Sequence, residues 1–327
     1  MLTHGILNQH STLTLDNGIL RVVVLPQKGA DIYALVHVPS GVDFLLKSPA
    51  GLRPPTGRPP ADFLENYEGG WQTLLPNGNE ACTYRGKLIP FHGEAALLAW
   101  EVLSERDGPD ETAVKVGVRC QLLPLRVERW MRLRAGEARL EIEDRVTNEG
   151  DEPTQMMWAQ HLVLGGDFLE AGCRLDARAH TILTPDVAFE RLTASLAEGQ
   201  REPWPFARGR QPGTRVDLRA IPGPEAFTHD DALLTDFDAG YYTVTNPRLR
   251  LTFRLDWDAS LFPYIALWQP YGGASRPPAL VGIYGIGLEP WVSQYNLEHA
   301  LQHGEALELA PGASRETTYV ASVAEAA

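Results

Sequence analysis

Apolar and polar positions alternate with a period of two along most of this chain. ARLEIEDRVTNEG sets Leu140, Ile142 and Val146 on one face and Arg139, Glu141, Glu143, Arg145 and Thr147 on the other. RLRLTFRLD repeats the arrangement, with Leu249, Leu251, Phe253 and Leu255 against Arg248, Arg250, Thr252 and Arg254. Each pattern predicts a half-buried antiparallel strand with one wet face. Asn246-Pro247 between two such runs, in TVTNPRLRL, predicts a hairpin. GILRVVVLP, DIYALVHV, TAVKVGVRC and TQMMWAQHLVL add further strands. Helical periodicity is scarce; the best match is 186–199, where Phe189, Leu192 and Leu196 share helical spacing and Gly199 supplies a stop. Two long irregular stretches, 48–63 and the region ending near 221–227, have the composition of binding loops, lids or oligomer contacts. The expected architecture is all-β: one large antiparallel β-sandwich with few short helices, spanning 1–327 as a single domain.

Composition refines this picture modestly. Thirty Gly and 25 Pro suit many short strands joined by turns, and 44% hydrophobic residues suffice for a sizeable core. The net charge of −13 repels phosphates and anionic lipid and leaves neutral ligands unaffected, so neither nucleic acid nor membrane is an expected partner. Cys82, Cys120 and Cys173 form no CxxC pair, which favours reduced thiols and a cytoplasmic location. Cys120 continues the row Val114, Val116, Val118, which assigns it to core packing. No apolar run reaches the roughly 18 residues of a membrane helix.

Four segments place polar groups where the pattern calls for core. EGGWQTLLPNGN is a Gly-rich turn leading into Trp71, Gln72 and Asn77; IPFHGEAALLAWEV carries His92 before Gly93 at a strand entry. MMWAQHLVLGG sets His161 in an apolar run, and LVGIYGIGLEPWVSQYN has Glu289 after a Gly-punctuated apolar strand. Taken singly, each fits an ordinary core or strand-end residue; Trp71, Trp100, Trp268 and Trp291 fit core filling equally well.

Together and in order, these segments resemble the aldose 1-epimerase (galactose mutarotase-like) superfamily. NGILRVVVLPQKGADIYAL resembles its first strands, IPFHGEAALLAWEV its HGG-type segment, and MMWAQHLVLGG the strand of its second histidine. FTHDDALLTDF is similar to the stretch supplying a sugar-binding aspartate, GIGLEPWVSQYN to the strand end with the catalytic glutamate, and LELAPGASRETTYV to the closing turn and strand. The resemblance implies a cofactor-independent isomerase acting on a monosaccharide, as monomer or homodimer. It makes Glu289 the general base, His161 the general acid and His92 a further contact at the reacting end. Asp231, with Asp230 as a competitor, would accept from ring hydroxyls, and Asn77 and Gln72 would help to hold the sugar. Trp71, Trp268 and Tyr264 would serve as apolar platforms.

Mutarotation takes one proton from the anomeric hydroxyl and places another on the ring oxygen. A carboxylate and an imidazolium suit those steps, with unperturbed pKa values of about 4.3 and 6.5. Three departures bear on substrate identity. The family's mutarotases carry an arginine beside an asparagine upstream of the first histidine, whereas Asn77 is followed by Gly78, leaving Arg85 as a spatial substitute. HGE replaces HGG, and QHL replaces the usual surroundings of the second histidine.

The reading from another class is a non-catalytic carbohydrate-binding protein on the same fold. His299 and His303 have the i,i+4 spacing of a helical metal pair, but the glutamate of an HExxH motif is absent and the pair sits next to a strand-like tail. The Pro-rich loop at 48–63 carries Arg53 and Arg58 as possible anion contacts, with solvated surface arginines the simpler reading.

Overall fold

The computed structural model describes residues 1–55 and 63–325. Two large antiparallel sheets dominate it. The first has twelve strands. It begins with the meander Leu2–Leu7, His10–Asp16, Leu20–Leu25 and Asp31–His37. Its centre is Trp71–Leu74, Ala159–Leu164, Ile286–Trp291, Tyr264–Tyr271 and Thr228–Thr235, in that spatial order. The second sheet has eight strands and is built around Arg139–Asn148, paired on one side with Leu125–Arg134 and on the other with Ser314–Glu325.

Alternation sets which face each strand buries. Along Arg139–Asn148 every second side chain from Leu140 is buried, and Tyr241–Asn246 and Leu251–Asp256 form the expected hairpin with Asn246 opposite Leu251. The apolar faces of the two sheets meet in one contiguous core that includes Ile142, Val146, Leu162, Phe253, Leu288 and Tyr319. A buried charge pair within the eight-stranded sheet reaches across that layer to Gln160. The Arg129 guanidinium donates twice to Asp144, at 2.7 Å each, and once to Gln160 Oε1 at 2.8 Å, which also accepts from the Trp71 indole. Gln160 and Trp71 therefore point at the eight-stranded sheet. Because successive strand residues face opposite ways, His161 points to the other side of the twelve-stranded sheet.

The expected helix over 186–199 does not form. Leu192 is 85% exposed and Phe189 44%, so the helically spaced residues bury no common face. The segment is instead pinned by carboxylates: Asp230 accepts from Ser195 N, Ser195 Oγ and Leu196 N, and Glu190 from the Ser275 N and Oγ. The α-helix that does form is Leu297–His303, just before the strand-like tail; Asn296 caps its start through His299 N, and Gly304 ends it at φ 69°. Cys120 lies just beyond its strand and packs partly buried against the core. Among the described residues, no helix is long and apolar enough to cross a membrane.

Candidate active site

On the face of the twelve-stranded sheet turned away from the core lies a cavity of about 690 Å³. Its floor is built by neighbouring strands: His161 comes from Ala159–Leu164, Glu289 and Trp291 from Ile286–Trp291, Trp268 from Tyr264–Tyr271, and Asp231 from Thr228–Thr235. Asp231 stands opposite Trp268, and Ala266 opposite Glu289, in the register of those strands. His92 enters from a loop, and Phe63, Tyr67 and Phe91 wall the same end.

Glycines let these side chains reach one another. His92 has φ 61° and Gly93 φ 75°, and a Cβ on Gly93 would lie 2.4 Å from the Leu75 carbonyl oxygen. The His-Gly pair is therefore the turn that aims the imidazole. A Cβ on Gly287 would lie 2.6 Å from Glu289 Oε1, so the bare backbone there leaves room for the carboxyl.

Glu289 Oε1 lies 3.6 Å from His161 Nε2, and its Oε2 accepts from the Trp291 indole at 3.1 Å. His161 Nδ1 is buried with no hydrogen-bond partner. His92 Nδ1 accepts from Asn79 N at 2.9 Å, which leaves Nε2–H as its remaining donor. The His161 and His92 rings are 5.3 Å apart. Trp268 is fixed by donating its indole N–H to His229 Nε2 at 2.6 Å.

Burial governs the charge states. It raises Glu289 well above the usual carboxylate range, with the Asp231 charge adding to it and the Trp291 hydrogen bond opposing. Burial, helped by Asp230, lifts Asp231 to about 7. Burial also lowers His161 to about 3 and His229 to about 4, and holds His92 well below its ordinary value. Burial thus favours a protonated Glu289 beside a neutral His161, not the carboxylate and imidazolium that unperturbed values suggest.

Several residues expected at the sugar lie elsewhere. Trp71 is buried on the core face against Tyr319. Gln72 stands opposite His161 in register, but its amide nitrogen donates to Gly69 O and Glu68. Asn77 is fully buried and structural: it donates to Glu80 O and Pro90 O and accepts from Leu297 N at the start of the helix. Arg85 is bound to Pro153 O and Glu152 at the surface, so it does not replace the missing arginine. Tyr264 joins Glu305 and Gln294. Asp230, sealed by Ser195 and Leu196, leaves Asp231 as the aspartate at the cavity.

The sequence departures now have physical reasons. At Gly78 a Cβ would lie 2.7 Å from the Trp291 ring, so Trp291 fills the space a side chain would need there. Glu94, the third residue of HGE, accepts from Gln121 N and Leu122 N at 2.9 Å each and ties the His92 loop to the eight-stranded sheet's end. Trp291, read as core filler, lines the cavity, and its alternation with Glu289 was the available signal. Phe63, Tyr67 and Phe189 come from irregular segments, whose pattern does not show which side chains face inward. His299 and His303 lie on the helix with rings stacked 3.9 Å apart at the cavity rim. Among the described residues no cluster of three or more His, Cys, Asp or Glu side chains could hold a metal. Arg53 is exposed and outside the cavity lining; Arg58 lies outside the described residues.

This architecture is the galactose mutarotase-like fold. A candidate aldose 1-epimerase from Klebsiella pneumoniae superposes with a TM-score of 0.73 at 16% identity, covering 99% of this chain and 83% of its own. A galactose mutarotase-like protein from Clostridium acetobutylicum gives 0.68 at 14%, covering 99% and 98%. The Slr1438 protein from Synechocystis sp. PCC 6803 gives 0.70 at 19%, covering 96% of each chain. The chain itself belongs to the family described as domain of unknown function DUF4432, whose model matches residues 9–323. No curated protein matches its sequence.

Proposed function

We propose that the protein is an aldose 1-epimerase, interconverting the α and β anomers of a sugar by opening and reclosing its hemiacetal ring. The observation that carries this reading is the Glu289–His161 pair, 3.6 Å apart on the floor of an aromatic cavity. Glu289 acts as base on the anomeric hydroxyl. His161 donates to the ring oxygen as the C1–O5 bond breaks and the C1 carbonyl forms. After rotation about C1–C2, the C5 hydroxyl returns its proton to His161 and attacks C1 from the other face, while Glu289 returns its proton to the carbonyl oxygen.

The pair needs one shared proton throughout. Burial of Glu289 and His161 favours that proton on Glu289. Sugar hydroxyls filling the cavity supply hydrogen bonds to the carboxylate, which favours moving the proton onto His161 before reaction. His92, through Nε2–H, holds the anomeric oxygen; Asp231 accepts from a ring hydroxyl, and Trp268 takes an apolar face of the sugar.

The test is anomer exchange by NMR saturation transfer on a panel of free aldoses. Wild type should accelerate exchange, and Glu289→Gln should lower the rate by about 10²–10⁴-fold while still folding. Near-normal exchange in that variant sinks the assignment. Binding without any exchange in wild type points to a non-catalytic sugar-binding protein instead.

A further inference from the structure

Resting on that reading of the site, we infer that the substrate is an uncharged saccharide of more than one ring. Its reducing-end sugar sits at Glu289 and His161, and its next ring lies against Phe189 at the mouth. Size is the first argument. A cavity of 690 Å³ equals about 23 water volumes at roughly 30 Å³ each. A single hexose has about half that many non-hydrogen atoms, so one ring leaves much of the space unfilled.

The second argument is an aromatic wall formed by Trp268 and Phe189, both of which line the cavity and are braced by the buried His229 ring. Trp268 on the floor is bonded to His229, and the His229 ring lies 5.6 Å from that of Phe189 at the lip. Phe189 and its neighbour Val187 line the cavity and remain 44% and 53% exposed. Large apolar side chains left open at the edge of a cavity mark a surface awaiting an apolar face. The C–H faces of successive sugar rings provide one, with hydroxyls at the ring edges. Facing this wall, the Tyr295 ring lies 4.6 Å from that of His299 at the rim.

The lip is also held in place before anything binds. Glu190 and Asp230 anchor the segment after Phe189 through backbone and hydroxyl donors, and before it Ala188 N donates to Glu198 at 2.9 Å. A ring presented by an anchored loop loses less conformational freedom on binding than one on a free loop.

Charge sets the remaining property of the ligand. Among the described residues that line the cavity there is no lysine or arginine, burial holds His92 and His161 neutral, and the carboxyl groups of Glu80, Asp186 and Asp231 face it. The whole chain carries −13. A phosphate or carboxylate on the sugar would meet no lysine or arginine among these described residues and would enter against this field.

The experiment compares kcat/KM for anomer exchange on glucose, galactose, maltose, lactose and glucose 6-phosphate, in wild type and Phe189→Ala. The inference expects at least one disaccharide to exceed its monosaccharide, and glucose 6-phosphate to be the poorest. Phe189→Ala should lower the disaccharide-to-monosaccharide ratio by about tenfold, the size of one aromatic anchor. An unchanged ratio, or a preference for the phosphate, overturns it. A wild-type dimer that dissociates in Phe189→Ala with the ratio unchanged also overturns it, in favour of an interface between copies. If no sugar is exchanged at all, calorimetric binding decides: disaccharide bound more tightly than monosaccharide, and weakened by Phe189→Ala, upholds the second-ring site while the epimerase reading falls. Equal or absent binding overturns both.

Discussion

Gln160 and His161 are neighbours on one strand, yet they belong to two kinds of polar interior. Gln160 faces the core, where it joins a network in which both Asp144 oxygens accept from Arg129 and the Gln160 oxygen accepts from Arg129 and Trp71. His161 faces the cavity, where its Nδ1 has no partner and its Nε2 stands 3.6 Å from a carboxylate. A buried polar group that is paired holds sheets together. A polar group left short of partners at a cavity is open to a ligand, because a bound molecule can offset its uncompensated desolvation. The comparison therefore predicts opposite signatures for substitutions one residue apart in space.

The largest effect should fall on rate. His161→Asn is expected to cut anomer exchange by about 10²–10⁴-fold with the fold retained, and to combine with Glu289→Gln far less than additively, since the two work as a unit. Steady-state kinetics on both single variants and the double variant will show it. An equal loss of stability would place His161 with the structural network instead.

Across the sheet the order reverses. Arg129→Met leaves Asp144 buried without its counter-ion and should cost about 3–5 kcal/mol in urea unfolding. Arg129→Met combined with Asp144→Leu should recover most of that loss, because removing both charges removes the desolvation problem. Failure of the double variant to recover would mean that the pair does more than neutralise itself.

His229 lies between the two kinds, being paired to Trp268 but neutral by burial. Its folded pKa of about 4 lies below the unfolded value of about 6.5, so between those values the unfolded chain binds the extra proton. Stability falls as pH falls through that window, by about 2–3 kcal/mol at pH 4.5. His229→Asn should lack this part of the acid slope, measurable as the difference between unfolding curves at pH 7 and pH 4.5.

The smallest effect concerns Asp231. Its charge helps to raise Glu289, so Asp231→Asn should lower the Glu289 pKa and shift the alkaline limb of the kcat/KM profile to lower pH. The shift is partial, because burial is the larger cause. An alkaline limb that stays in place would assign that limb to another group.

Much of the sheet scaffold was legible in the sequence because alternation is a local property: Leu140, Ile142 and Val146 declare their face within a few residues. His92, His161, Glu289, Trp268 and Asp231 were legible as an ordered set and do meet in one cavity. Asn77, Trp71 and Arg85 were misplaced because their bonds go to chain segments remote in sequence or to the opposite sheet face, which no local pattern encodes; Gln72 instead turns back on its own Gly69–Glu68 turn. The helix expected over 186–199 failed for a similar reason. Its periodicity was real, but Asp230 and Glu190 offered its backbone and neighbouring loops better partners than a helix buried on no surface. The helix at 297–303 was signalled only by Asn296 and Gly304, too short a span for periodicity to register.

The contact between Gly78 and Trp291 also constrains how this site can change over time. An arginine introduced at 78 meets an indole already in its space, and shrinking Trp291 alone removes the donor to Glu289 while leaving a hole. Each single step is a loss, and only the pair of changes restores a filled site. The two positions are therefore coupled, and a side chain at 78 calls for a smaller residue at 291.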